Sequence, residues 1–131
     1  MPQTSLELIL MRQLASYLAM PILLVDPVGT LLFYNEPAEG LLGRRYEETG
    51  DMPLTEWTRL FRLTTEDGSP LALEARPLIM ALQQHRAVHG AFWIQGHDGI
   101  AQRIEATAFP LEGQGMRQLG AVALFWQAPA P

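Results

Sequence analysis

Pro21-Ile22-Leu23-Leu24-Val25-Asp26-Pro27-Val28-Gly29-Thr30-Leu31-Leu32-Phe33-Tyr34-Asn35 is the stretch whose reading decides the fold. Residues 22–25 are an apolar run of strand length. Asp26-Pro27-Val28-Gly29 is a turn: Asp favours its first position, Pro presets φ at the second and Gly suits the fourth. Residues 30–34 return as the partner strand, which makes a hairpin. Asn35 then opens a short helix. Its side chain can accept a hydrogen bond from a free backbone N–H, a contact worth about 1 kcal/mol. Glu36 lies near the positive end of the helix dipole, and Gly43 can end the helix in the left-handed region.

Downstream, residues 44–53 read as a loop and residues 54–63 as a helical turn carrying Trp57, Leu60 and Phe61. Asp67-Gly68-Ser69-Pro70 is a second turn. Residues 73–84 read as a helix that starts near Arg76, because Pro77 is tolerated only in a first turn. Three strands follow, at 88–95, 101–109 and 118–126, the first two joined by a hairpin turn at His97-Asp98-Gly99. In the last strand both alternating sets are apolar: Leu119, Ala121, Ala123 and Phe125 on one side, Val122, Leu124 and Trp126 on the other. A sheet open to water on one side shows polar alternation instead, so this strand is expected to be covered on both faces.

Upstream, residues 4–18 read as a helix, with Thr4 or Ser5 able to cap it. Leu6, Leu10, Leu14 and Tyr17 form a stripe at helical spacing, and Leu8, Ile9, Met11 and Leu18 widen it beyond an ordinary amphipathic face. Such a helix covers its own domain on one side and meets a partner, the same helix of a second chain, on the other. The alternative is a terminal helix packed wholly on its own sheet.

Composition narrows the function. The chain has 131 residues, the size of one domain, and is 48% hydrophobic. It has no cysteine, which removes disulfides, thiolate metal sites and cysteine chemistry. A net charge of −5 repels phosphate backbones, so no nucleic-acid partner is expected. No apolar run approaches the ~18 residues of a membrane span, and no secretory signal opens the chain. No membrane association is expected, and the expected location is the cytoplasm. The Ala128-Pro129-Ala130-Pro131 end reads as a disordered tail.

The order and spacing of these segments resemble the PAS domain family. The hairpin and helix from Pro21 to Gly43, the Asp67-Gly68-Ser69-Pro70-Leu71 approach, Arg76-Pro77-Leu78 through Ala81-Leu82, and Asp98-Gly99, Pro110-Leu111 and Gly120-Ala121-Val122 carry the likeness. It implies an α+β fold, with a five-stranded antiparallel sheet, helices on one face and an N-terminal amphipathic helix. The domain division is then 1–19 for that helix (cap or dimerisation), 20–127 for the core and 128–131 for the tail. By the same resemblance, Phe33, Leu42, Trp57, Leu78, Leu82, Phe92 and Ile94 line a small cavity for an apolar ligand, or else simply fill the core. The candidate dimer interface is Leu6, Ile9, Leu10, Leu14, Tyr17 and Trp126. Two departures matter. The Asp-x-Thr signal that ends many relatives is replaced by Gln127-Ala128-Pro129, and flavin–cysteine photochemistry has no cysteine to use.

No catalytic set stands out. His85 and His89 are four apart, but the helix is expected to end between them, so no metal site is assigned. His85 is the one histidine where a haem-binding relative would place a ligand, and it falls late in the helix, so haem is not expected. Gly113-Gln114-Gly115 lacks the lysine and spacing of a phosphate loop. The expectations are therefore a sensory or signal-transduction module that binds a small apolar ligand or a protein partner, a ligand-free homodimerisation module, and, least favoured, a small enzyme.

Overall fold

A computed structural model describes residues 6–42, 45–95, 99 and 101–128. The first hairpin forms as its residues dictate. β1 (Ile22–Val25) and β2 (Leu31–Tyr34) are antiparallel. Between them, Asp26 Oδ1 accepts from the N–H groups of Val28 and Thr30 at 3.0 and 2.9 Å, and Gly29 takes φ +92°. Asn35 opens α2 (Glu36–Leu42), its Oδ1 accepting the Ala38 N–H at 3.2 Å.

Two short helices follow, α3 (Tyr46–Thr49) and α4 (Leu54–Leu60). The helical turn expected within 54–63 is α4, which ends at Leu60, and Arg62–Thr64 is a strand, β3, that the sequence did not show. Three residues are too few to announce a period of two, and pairing with the next strand makes them extended. α5 (Pro77–Gln84) begins with Pro77 as expected. β4 (Val88–Gln95), β5 (Ala101–Glu112) and β6 (Gln118–Gln127) complete the chain. The turn at His97 and Asp98 lies outside the described residues, but the strands it joins pair with Gln95 opposite Ala101. Gly43 and the Thr4 or Ser5 cap also lie outside them.

Among the described residues, six strands rather than five form one antiparallel sheet in the order β2-β1-β6-β5-β4-β3. Both edges are blunted by returning backbone, which limits edge-to-edge pairing with other chains. Leu31 and Met52 exchange two hydrogen bonds beyond β2, and the Leu71 N–H bonds Leu63 O beyond β3.

The sheet carries a layer on each face. α2, α4 and α5 cover one face, where Ala38, Trp57, Leu78 and Ala81 meet Leu23, Val25, Phe92, Ile104, Ala123 and Phe125. α1 (Leu6–Tyr17) covers part of the other. There Ala15, with Leu8, Met11 and Leu18, packs on Ile22, Leu24, Val122 and Leu124. The last strand is thus covered on both faces over residues 121–125. At the end of the chain, Ala128 is buried and its N–H bonds Arg103 O at 2.9 Å. Ala128, expected to open a tail, is therefore packed instead, and residues 129–131 lie outside the described residues.

Asn35 joins these parts. It is 3% exposed. Its Oδ1 also accepts the Ile22 N–H at 3.0 Å, and its Nδ2 donates to Ala15 O and Met20 O at 3.0 and 2.9 Å. One amide side chain therefore ties α1, the 18–21 connection, β1 and α2, with both donors and both acceptor positions used.

Candidate functional site

Helices laid on a curved sheet leave a gap where large side chains meet. The gap here lies between β1, β3, β4 and β6 below and α4 and α5 above. Leu23, Leu63, Phe92, Ile94 and Phe125 form the floor. Trp57 from α4 and Phe61 just after it, with Pro77 and Leu78 from α5, form the roof. Edge-on aromatic pairs stiffen both: Trp57 with Phe61 at 6.3 Å and Phe92 with Phe125 at 6.2 Å. Trp57 is fixed further by its indole N–H, which donates to Gly29 O at 2.8 Å. The cavity measures about 20 Å³. That is room for about one water, well short of the ~300 Å³ of an ordinary ligand pocket.

Arg76 breaks the apolar lining. It precedes Pro77 at the start of α5, and its Nη2 donates to Thr58 O at 3.2 Å. Its Nε and Nη1 are buried without a hydrogen-bond partner among the described residues. Burial lowers the Arg76 pKa from its ordinary value, because desolvation disfavours the charged form. Replacing this half-buried guanidinium with an apolar chain of similar length removes a partly desolvated, incompletely paired charge at the loss of one hydrogen bond, a change that is often neutral or stabilising. Arg76→Met is accordingly expected to raise stability by about 1 kcal/mol, or roughly 3–5 °C in the thermal midpoint. A clear fall in a calorimetric scan would mean that the Thr58 bond outweighs the desolvation.

Of the residues expected to line a cavity, Trp57, Leu78, Phe92 and Ile94 meet here. Leu82 is half-buried and packs on the same core without reaching the cavity. The Leu42 side chain lies outside the description. Phe33 is placed elsewhere. It sits opposite Leu24 on the α1 side of the sheet, edge-on to Tyr46 at 5.3 Å and with the Arg12 guanidinium 5.0 Å above its ring. The irregular β1–β2 register decides this, since one extra residue moves a side chain to the opposite face. Beside it, burial and the neighbouring Asp51 carboxylate push the Tyr46 hydroxyl up to about 12. Sequence reasoning placed Arg76 at the helix start but gave it no site. Its one signal in the sequence is a cationic residue directly before an apolar helix.

The candidate interface residues divide. Leu6, Ile9, Leu10, Leu14 and Tyr17 all point away from the core, with Leu6, Leu10, Leu14 and Tyr17 65%, 53%, 51% and 79% exposed. Trp126 is half-buried and does not join the α1 cluster. Its indole N–H donates to Glu105 Oε2 at 3.0 Å, and its ring lies 5.6 Å from that of His89. His85 ends α5 in the left-handed region (φ 54°), exposed and off the cavity lining. Among the described residues no three His, Asp or Glu side chains converge on a metal-binding position, and no helix is long and apolar enough to cross a membrane.

No family model and no curated protein matches the sequence. Solved structures do. The PAS domain of BvgS from Bordetella pertussis superposes with a TM-score of 0.70 at 16% identity, over 95% of this chain and 88% of that one. The PAS domain of a protein from Colwellia psychrerythraea gives 0.62 at 18% identity, over 92% and 96%. VqmA bound to DPO gives 0.67 at 16% identity, over 95% of this chain and 58% of that one. The chain has the PAS fold.

Proposed function

We propose that this chain is a PAS-type sensory module, acting in signal transduction as a homodimer that binds a small apolar ligand rather than as a catalyst. The observation that carries the ligand is the apolar cavity under α4 and α5, at the junction of the helical layer with the sheet. That VqmA, a part of which shares this fold, is known with DPO bound supports a ligand for this chain. Because the cavity admits about one water, a ligand must part the α4 side from the sheet as it enters. A ligand at a hundred times its dissociation constant adds about 2.7 kcal/mol. Thermal unfolding against a panel of apolar compounds, neutral and acidic, is expected to show at least one such shift. Native mass spectrometry of freshly purified protein reports any retained molecule and the subunit count together. No shift and no retained molecule would overturn the ligand.

The second reading is a ligand-free dimerisation module, favoured by the tightness of the cavity and by the α1 stripe. The stripe repeats at intervals of four, four and three residues, close to the seam by which like helices pair. A second copy suits it, since an isologous contact needs only one self-complementary surface. Deleting residues 6–18 would strip Ile22, Leu24 and Val122 of their cover, so aggregation would confuse the result. Leu10→Glu with Leu14→Glu leaves that cover in place. In sedimentation equilibrium the double variant is expected to be a monomer with an unchanged circular dichroism spectrum. A persisting dimer would put the interface elsewhere.

A further inference from the structure

Drawing a guanidinium out of water with its donors unmatched is costly, and Arg76 is half-buried. Arg76 meets one carbonyl, on Thr58, and no carboxylate among the described residues pairs with it. Its Nε and Nη1 stay buried and unpartnered, beside a cavity whose other described lining residues are all apolar. For packing alone, a methionine or leucine would serve without that cost. A cation retained there with unused donors is complementary to an anion whose remaining body is apolar.

The donor geometry narrows the anion. Thr58 O takes one of the two Nη2 hydrogens. The other is left on a planar edge with either Nε–H or Nη1–H, whichever edge the carbonyl does not occupy. Two parallel N–H donors match the two oxygens of a carboxylate. A phosphate or sulfate group carries more charge and more oxygens than one guanidinium satisfies, and the lining offers no second cation. A single positive charge neutralises a monoanion.

We propose that the cavity takes a small monocarboxylate with an apolar body, its carboxylate on the free edge of Arg76 and its hydrocarbon part against Trp57, Leu78, Phe92 and Phe125. The ligand replaces the water-sized space and widens it as the aromatic side chains part. The proposal rests on the ligand-binding reading above and specifies its chemistry.

The test is a calorimetric and 15N-NMR titration of the 131-residue chain with matched pairs: butyrate and 1-butanol, hexanoate and 1-hexanol, phenylacetate and 2-phenylethanol. Each acid is expected to bind wild type at least about tenfold tighter than its alcohol, the value of one charge-assisted contact. Affinity within the straight-chain acids is expected to rise by about fourfold per methylene. In Arg76→Met the acids are expected to lose their advantage over the matched alcohols. Equal binding of acids and alcohols to wild type overturns the carboxylate and leaves the ligand-binding reading standing. An acid preference that survives in Arg76→Met overturns the assignment to Arg76. If neither acids nor alcohols bind, this proposal is overturned, and the broader reading falls with it only when the apolar panel also fails. Should Arg76→Met not fold, Arg76→Lys decides, since an ammonium keeps the charge and loses the planar edge. A preference cut at least about threefold supports the assignment, and an undiminished one overturns it.

Discussion

Gly120→Ala is expected to cost the domain about 4 kcal/mol or more and to leave little folded protein above 40 °C. Gly120 sits in β6 with φ +137°, beside the Val25–Ala121 pairing of β1 with β6. A Cβ there would stand 1.9 Å from Val25 O and 2.9 Å from the Val25 carbonyl carbon. Backbone is the obstacle, so no side-chain rotamer relieves it. The β1–β6 pair would have to separate, and these strands lie under α1 on one face and the main core on the other. Overpacking alone costs about 1–3 kcal/mol, and the positive φ adds to it. Urea denaturation followed by circular dichroism checks the value. A loss under ~1 kcal/mol would mean that the strands approach less closely than described.

Asn35→Ala is expected to cost about 3–4 kcal/mol. It removes four hydrogen bonds, each worth about 1 kcal/mol net, and leaves the buried Ile22 N–H unsatisfied. Its effect falls on α1 first, since Asn35 Nδ2 holds Ala15 O and Met20 O. Cleavage by trypsin at exposed Arg12 is therefore expected to quicken before the rest of the domain opens. Asn35→Asp separates donor from acceptor. It keeps the oxygen that serves Ile22 and Ala38, and sets a carboxylate against two carbonyl oxygens. That placement raises the carboxyl's folded-state pKa above its unfolded value near 3.9. The variant's deficit relative to wild type is then smallest below pH 4 and grows as pH rises through the folded value. A deficit that does not vary with pH would remove the two carbonyls from the account.

Legibility followed distance along the chain. The Asp26–Gly29 turn, the Asn35 cap and the Pro77 start of α5 were readable because each depends on neighbours within a few residues. Four of the expected cavity residues, Trp57, Leu78, Phe92 and Ile94, meet in one place, because strand alternation and helix spacing put each on the inner side of its element. Phe33 failed that rule, since an irregularity in the β1–β2 pairing reverses its face without a mark in the residue order. β3 was hidden for a related reason: Leu63 is extended because Ile94 stands opposite it. In α1 the sequence shows apolar residues on every side, and either side would serve as the buried one. Packing chose Leu8, Met11, Ala15 and Leu18, which leaves the Leu6, Leu10, Leu14 and Tyr17 stripe outward.

By itself, then, the sequence determined the hairpin, the order of helices and strands, and the need for cover on both faces of the last strand, all set by local φ/ψ preference and side-chain periodicity. Only the tertiary structure decided which face of α1 stays bare, that Gly120 must lack a side chain, and that Arg76 lies against an apolar cavity with two donors unmet. Those three depend on which atoms from distant parts of the chain come within a few ångströms, and periodicity holds no information about that. A residue's spacing says which side of its own element it occupies. The free energy of a buried charge or of a Cβ clash is set by what the rest of the chain brings to that side.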